Sequence, residues 1–216
     1  MSIFFKRQHR QQRQLFLTGC LCCLCCLSYS CSESDDEEGE FSNWKTRNEQ
    51  YFASLSDSLS RNPSQWVRYK CYSLDETVEG DASDYIYAKV IQSGTGTDSP
   101  MFTDSIRVSY QGRLIPSATY PQGYPFDGTV YGTYSDKTNS TARLLLSQMI
   151  DGYVTALLHM HRGDYWRVYI PSALAYGDTG NGSSIPGHSV VVFDVTLIDF
   201  SPVGEVMPRW SSRRVR

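Results

Sequence analysis

The most constraining stretch of the chain runs from Ser147 to Phe200, where an apolar pattern of helical period gives way to two alternating runs separated by a long loop. Met149, Tyr153, Leu157 and Met160 recur at helical spacing and the pattern stops at Gly163, which predicts a short amphipathic helix ended by a glycine cap. Trp166, Val168 and Ile170 then alternate with Tyr165, Arg167 and Tyr169 and halt at Pro171, while Val191, Phe193, Val195 and Leu197 alternate again further on. Such alternation belongs to half-buried antiparallel strands, because successive side chains point to opposite faces of a sheet. Between the two runs lies ALAYGDTGNGSSIPGH, too rich in Gly, Ser and Asn to fill a core. It still supplies Leu174, Tyr176 and Ile185, apolar groups that a loop folded over a pocket can contribute.

Upstream, DSIRVSYQGRL (residues 104–114) alternates most cleanly, with Ile106, Val108, Tyr110 and Leu114 on one face and Arg107, Ser109, Gln111 and Arg113 on the other. One face must be buried, and a buried phenol at Tyr110 needs a hydrogen-bond partner. Residues 84–93 predict a first strand, and residues 62–83, with turn residues and an acidic patch, read as a connector. Phe41, Trp44, Tyr51, Phe52 and Leu55 fall at roughly helical intervals behind Asn43, a candidate N-cap. A single short helix of that kind more often closes its own core than joins two copies, and the oligomeric state is left open. After Leu114 a Pro- and Gly-rich insertion bearing Tyr120 and Tyr124 leads to Phe126 and Asp127, and a second loop leads to Ala142 and Leu144.

With 216 residues, the chain suits one domain with extensions. Its first residues carry Lys6, Arg7, Arg10 and Arg13 and no acid, then an apolar run, LFLTGCLCCLCCLSYS, then Cys31. That order is an export signal. Six of the 7 cysteines lie at or before Cys31, so only Cys31 and Cys71 would survive processing, and a disulfide framework is not expected. The context resembles a bacterial lipoprotein signal, in which cleavage precedes a lipidated cysteine. LTGC, ending at Cys20, matches that pattern by residue type, but SYSC, ending at Cys31, keeps the whole apolar run and is preferred. The rival, an uncleaved membrane anchor, needs about 20 apolar residues, more than this run supplies. SESDDEEGE then reads as a solvated tether and resembles the acidic export tag of Bacteroides-type surface lipoproteins. The anchor places the protein in the cell envelope, with the outer membrane or cell surface expected.

Removing the four positive charges of residues 1–30 from a net −3 leaves −7 on the remainder, so nucleic acid is not expected as a partner. His159 and His161 are two apart on a helix and face different ways, and His188 lies in the loop without ligand spacing, so no metal is expected. Neither a phosphate loop nor a nucleophile elbow is found. The tail, with Arg209, Arg213, Arg214 and Arg216, reads as a solvated extension.

Seven motifs in unbroken order carry a family resemblance: VSYQGRL, the pair Phe126-Asp127, SQMIDGY, MHRGDYWRVYIP, AYG, IPGH and VVVFDVTL. Over residues 84–200 the chain resembles the macrolide-binding immunophilins, the FKBP-type peptidyl-prolyl cis-trans isomerases. The implied fold class is α+β, a curved antiparallel sheet of about five strands wrapped around one short helix, with an N-terminal helical extension. The implied division is signal peptide 1–30, acidic tether 31–40, extension and connector 41–83, isomerase domain 84–200 and basic tail 201–216. The resemblance implies isomerisation of X–Pro bonds in exported, proline-containing polypeptide clients, a macrolide as ligand, and no cofactor. Carried over by position, Tyr110, Phe126, Asp127, Tyr176 and Phe193 are the catalytic set, and Met149, Ile150, Tyr153 and Ile185 bind substrate. Ile150 N–H and the Tyr176 hydroxyl match the groups that hold peptide carbonyls; Asp127 either orients Tyr110 or meets the twisted carbonyl. Three departures follow: Tyr153 replaces the usual tryptophan floor, Ala142 and Leu144 stand where aromatic residues are common, and the insertion with Tyr120 and Tyr124 is long enough to repair that wall or shield the pocket. These departures leave an alternative, a catalytically weak chaperone or peptide-binding lipoprotein of the same fold.

Overall fold

In the computed structural model, residues 39–133, 140–182 and 184–207 are described, and the export signal, Cys31 and the arginines of the tail lie outside them. The elements in chain order are α1 (Trp44–Ala53), α2 (Leu55–Arg61), β1 (Trp66–Lys70), β2 (Tyr85–Gln92), β3 (Ser105–Leu114), β4 (Pro125–Gly128), β5 (Ala142–Leu145), α3 (Asp151–His159), β6 (Tyr165–Ile170) and β7 (Val191–Ser201). All strands join one antiparallel sheet in the order β1-β2-β6-β7-β3-β4. The free flank of β3 is shared: β5 covers Ser105–Val108 and β4 covers Gln111–Arg113.

Seven strands exceed the expected five because the connector is not a connector. Its residues Trp66–Lys70 pair with Lys89–Tyr85 as an edge strand, and Trp66 stacks on Tyr169 with ring centroids 5.4 Å apart. The 84–93 strand is therefore second in the chain, and β5 completes the set.

Helix α3 packs against β1, β2 and β6, and its approach is set by Gly152, where a Cβ would stand 2.2 Å from Ile170 Cγ2. Ile86, Ile106, Val108, Val168, Ile170 and Leu197 fill the core below it. The helix ends at His159, not at Gly163. Met160 already has extended backbone at φ −85° and ψ 148°, and Gly163, at φ +92°, sits in the turn closed by Asp164 N–H to His161 carbonyl at 3.0 Å. Asp164 organises that turn, its carboxylate accepting from His161 N–H at 2.8 Å and Gly94 N–H at 2.6 Å.

The opposite face of the sheet is also covered. Helix α1 lays Phe52 on Tyr87 and Tyr51 on Tyr169, with centroids 5.3 and 6.3 Å apart. That is why Tyr169, on the polar side of its alternation, is buried. The helix thus closes its own domain, with Trp44, Asn48 and Phe52 buried. Asn43 precedes it in the left-handed region and makes no side-chain cap. On the same face Asp194 accepts from Arg167 Nε at 2.7 Å and also from Arg113, tying β3, β6 and β7 together. Cys71 is buried as a free thiol.

Candidate active site

The register of three strands converges on one point of β3. Gly112 faces Asp127 of β4 on one flank and Phe193 of β7 on the other. A Cβ at Gly112 would meet Phe193 at 2.7 Å and Phe126 at 2.8 Å, so the missing side chain admits both rings. Phe126 and Phe193 meet edge to face at 5.7 Å and 87°, Tyr153 from the first turn of α3 meets Phe193 at 5.0 Å, and Phe126 meets Tyr176 at 6.5 Å and 88°. Tilted and edge-on contacts of this kind suit the charge distribution of aromatic rings. Tyr110, two residues before Gly112, donates its hydroxyl to Asp127 Oδ2 at 2.9 Å, and Asp127 Oδ1 accepts from Gly128 N–H at 2.8 Å. The phenol therefore has the partner its position demands.

Above these rings lies a cavity of about 310 Å³, lined by Tyr110, Asp127, Leu144, Gln148, Met149, Ile150, Tyr153, Tyr176 and Phe193. Seven of the nine expected site residues line it. Phe126 and Ile185 do not: Phe126 is partly buried and reaches the lining through its ring contacts with Phe193 and Tyr176, and Ile185 is buried in the loop. Leu144, expected as part of the thinner wall, belongs to the lining, and so does Gln148, which was not expected. Gln148, a polar residue in a one-turn 3-10 helix (Leu146–Gln148), carries no periodic signal by which the sequence could have shown it. Tyr120 and Tyr124 pack on each other at 5.0 Å and neither lines the cavity, so the insertion does not rebuild the thin wall.

Burial, reinforced by the bond to Asp127, raises the Tyr110 pKa above its ordinary 10. Burial first and Asp127 second likewise raise Tyr176, and burial holds Tyr153 well above the ordinary phenol range. All three phenols are donors at neutral pH. The Tyr153 hydroxyl is buried and has no hydrogen-bond partner among the described residues. Ile150, which lines the cavity, is the N-cap of α3: its carbonyl accepts from Tyr153 and Val154 N–H at 2.9 and 3.0 Å, while its own N–H precedes the helix and has no intrahelical acceptor.

The histidines are engaged elsewhere. His159 stacks on Tyr69 at 3.8 Å, His161 lies 3.6 Å from Asp164, and His188 Nδ1 lies 2.9 Å from Asp178, an acid that the loop folds back to it. Among the described residues no group of three His, Cys, Asp or Glu is placed to hold a metal ion.

An antiparallel sheet that carries an aromatic, acid-flanked hollow between one of its faces and one short helix defines a class of protein. Residues 96–198 match the family model described as FKBP-type peptidyl-prolyl cis-trans isomerase, and the chain carries a domain of that family. It is 36% identical over 115 residues to a macrophage infectivity potentiator of Trypanosoma cruzi, covering 53% of each chain. It is 38% identical over 111 residues to the FKBP-type 22 kDa peptidyl-prolyl cis-trans isomerase of Escherichia coli K12, covering 51% of this chain and 48% of that one. The crystal structure of FkpA from Escherichia coli superposes with a TM-score of 0.50 at 25% identity, over 75% of this chain and 63% of that one. The chain spans about half the length of the curated relatives it matches.

Proposed function

We propose that the cavity catalyses cis-trans rotation of X–Pro bonds in exported polypeptides without any covalent intermediate. The observation that carries this reading is the Tyr110–Asp127 hydrogen bond at the rim of an otherwise aromatic and aliphatic hollow. A planar amide is held by resonance, with a rotation barrier of about 18–20 kcal/mol, somewhat less for X–Pro. An apolar cavity disfavours the charge-separated resonance form, and the site accelerates rotation to the extent that it binds the twisted bond better than either planar form. In this reading Met149, Tyr153 and Phe193 grip the Pro ring, while Phe126 braces Phe193 and Tyr176 and Ile185 packs within the loop. Ile150 N–H and the Tyr176 hydroxyl hold the flanking carbonyls in the strained geometry. Asp127 orients the Tyr110 phenol, the role its 2.9 Å bond supports.

The test is proline isomerisation in a short peptide by the chain from residue 32 onward. Tyr176→Phe removes one hydrogen bond to the twisted state and should lower kcat/KM about three- to tenfold, the equivalent of about 0.5–1.5 kcal/mol. No acceleration by the wild-type chain defeats the proposal. The unpartnered Tyr153 phenol favours a second reading, a peptide-binding chaperone with little catalysis. Client binding that is unchanged in Asp127→Ala and Tyr176→Phe, with no rate to lose, selects it.

The amino terminus extends the proposal: residues 1–30 direct export, Cys31 carries lipid in the envelope membrane, and residues 31–40 are a tether. The domain is assigned to residues 84–200 and a solvated tail to residues 201–216, with the extension 41–83 structurally joined to the sheet through β1. Cys31→Ser should release the protein from the membrane fraction; retention there rules out the lipid anchor. Macrolide binding by the same cavity is checked by whether a macrolide competes with the short proline peptide.

A further inference from the structure

We propose that helix α1, which lies outside the residues matched to the family model, positions the loop that walls the cavity. Four hydrogen bonds form the link, three of them buried and one part-buried. Trp44 Nε1–H donates to Ser189 Oγ at 2.8 Å, and the Ser189 hydroxyl donates to the Pro186 carbonyl at 2.6 Å. Val190 N–H donates to Asn48 Oδ1 at 2.8 Å, while Asn48 Nδ2 donates to the Trp44 carbonyl at 2.7 Å. Trp44, Asn48 and Ser189 are 7%, 1% and 3% exposed, so water does not replace a lost partner. A buried polar group stripped of its partner bears its full desolvation penalty, which opposes displacement of the loop base from this arrangement.

Ser189 and Val190 end one limb of the loop, and Tyr176 begins the other. The limbs are laced backbone to backbone: His188 N–H donates to the Gly177 carbonyl at 3.0 Å and Asn181 N–H to the Ile185 carbonyl at 2.8 Å. They touch so closely that a Cβ at Gly187 would lie 1.9 Å from the Asp178 carbonyl, and one at Gly180 2.0 Å from that of Ile185. A shift at Ser189 is therefore not absorbed within the loop and reaches Tyr176, which lines the cavity. Trp44 and Asn48 are positioning residues that act through this limb pair. Their consequence for turnover rests on the isomerase reading; the anchoring itself does not.

Ser189→Ala deletes a single hydroxyl while keeping the packing, Trp44→Phe deletes the indole N–H together with part of a buried ring, and Asn48→Ala deletes the other arm. Amide hydrogen exchange is compared at Asn181 and His188 in the loop and at the centres of β3 and β7, alongside kcat and KM for a Phe-Pro tetrapeptide. The expected result is loop exchange at least tenfold faster with sheet exchange unchanged, and KM raised several-fold with a smaller change in kcat. Loop exchange that moves no more than sheet exchange overturns the anchoring, and faster loop exchange with unaltered kinetics overturns its role in the site. Should Asn48→Ala fail to fold, the other two variants decide. A wild-type chain without isomerase activity removes the reading of the cavity and leaves the exchange comparison to judge the anchor.

Discussion

Tyr153 is the residue at which the cavity departs furthest from chemical comfort. A phenol offers a donor and an acceptor, and here both sit in the floor without a partner while Phe193 and Tyr110 pack around the ring. An unsatisfied buried hydroxyl costs roughly 1–3 kcal/mol. Tyr153→Phe is therefore expected to stabilise the fold by about 1 kcal/mol, read as a higher urea midpoint at unchanged slope. A lower midpoint would mean that the hydroxyl is served in solution. The Tyr110 phenol is the opposite case, since its hydroxyl is spent on Asp127. Asp127→Ala frees it to rotate, and kcat/KM should fall about tenfold while KM alone moves little, because a wandering donor weakens the twisted state more than the ground state.

At the scale of elements, what could be read from the chain depended on whether one face of an element stayed polar. The strand Ser105–Leu114 was legible because its arginines, Ser109 and Gln111 alternate with Ile106, Val108 and Leu114. Trp66–Lys70 was not, because five residues among turn formers give too short a window, and the stack of Trp66 on Tyr169 joins residues about a hundred positions apart. The end of α3 was misread for a related reason: Gly163 does adopt the left-handed conformation, but in the next turn, where Asp164 takes the hydrogen bonds. In the site, the rings were legible from motif order, while Gln148 sits in a one-turn 3-10 helix with no periodic signal and the contact of Phe126 with Phe193 depends on how β4 and β7 flank Gly112. Gly112 shows how that packing is built. Gly112→Ala should push Phe193 and Phe126 apart, costing about 1–3 kcal/mol of stability and shrinking the cavity. Denaturation and tetrapeptide KM should both register it, and an unperturbed KM would show that the rings part without closing the hollow.

Taken as a whole, the molecule sets phenols on both sides of one sheet: Tyr110, Tyr153 and Tyr176 toward the cavity, Tyr51 and Tyr169 beneath α1. Burial raises the pKa of every one of them, Tyr51 to about 12 from an ordinary 10. A phenol that ionises less readily in the folded than in the unfolded chain contributes stability in full below pH 10, and that contribution is lost as pH climbs toward the folded value. Stability should therefore be level from neutral pH to about 9 and decline between about 10 and 12, with no corresponding loss in that window from the carboxylates, which are already charged. Both layers are tied to the same strands, so the alkaline transition should be single, with the melting curve followed by helix signal and the one followed by aromatic environment coinciding. Tyr51→Phe separates the layers experimentally. It should soften the alkaline decline while leaving the neutral-pH isomerase rate as it was, because Tyr51 lies across the sheet from the cavity; a rate that fell with it would mean that α1 reaches the site through the body of the sheet as well as through the loop.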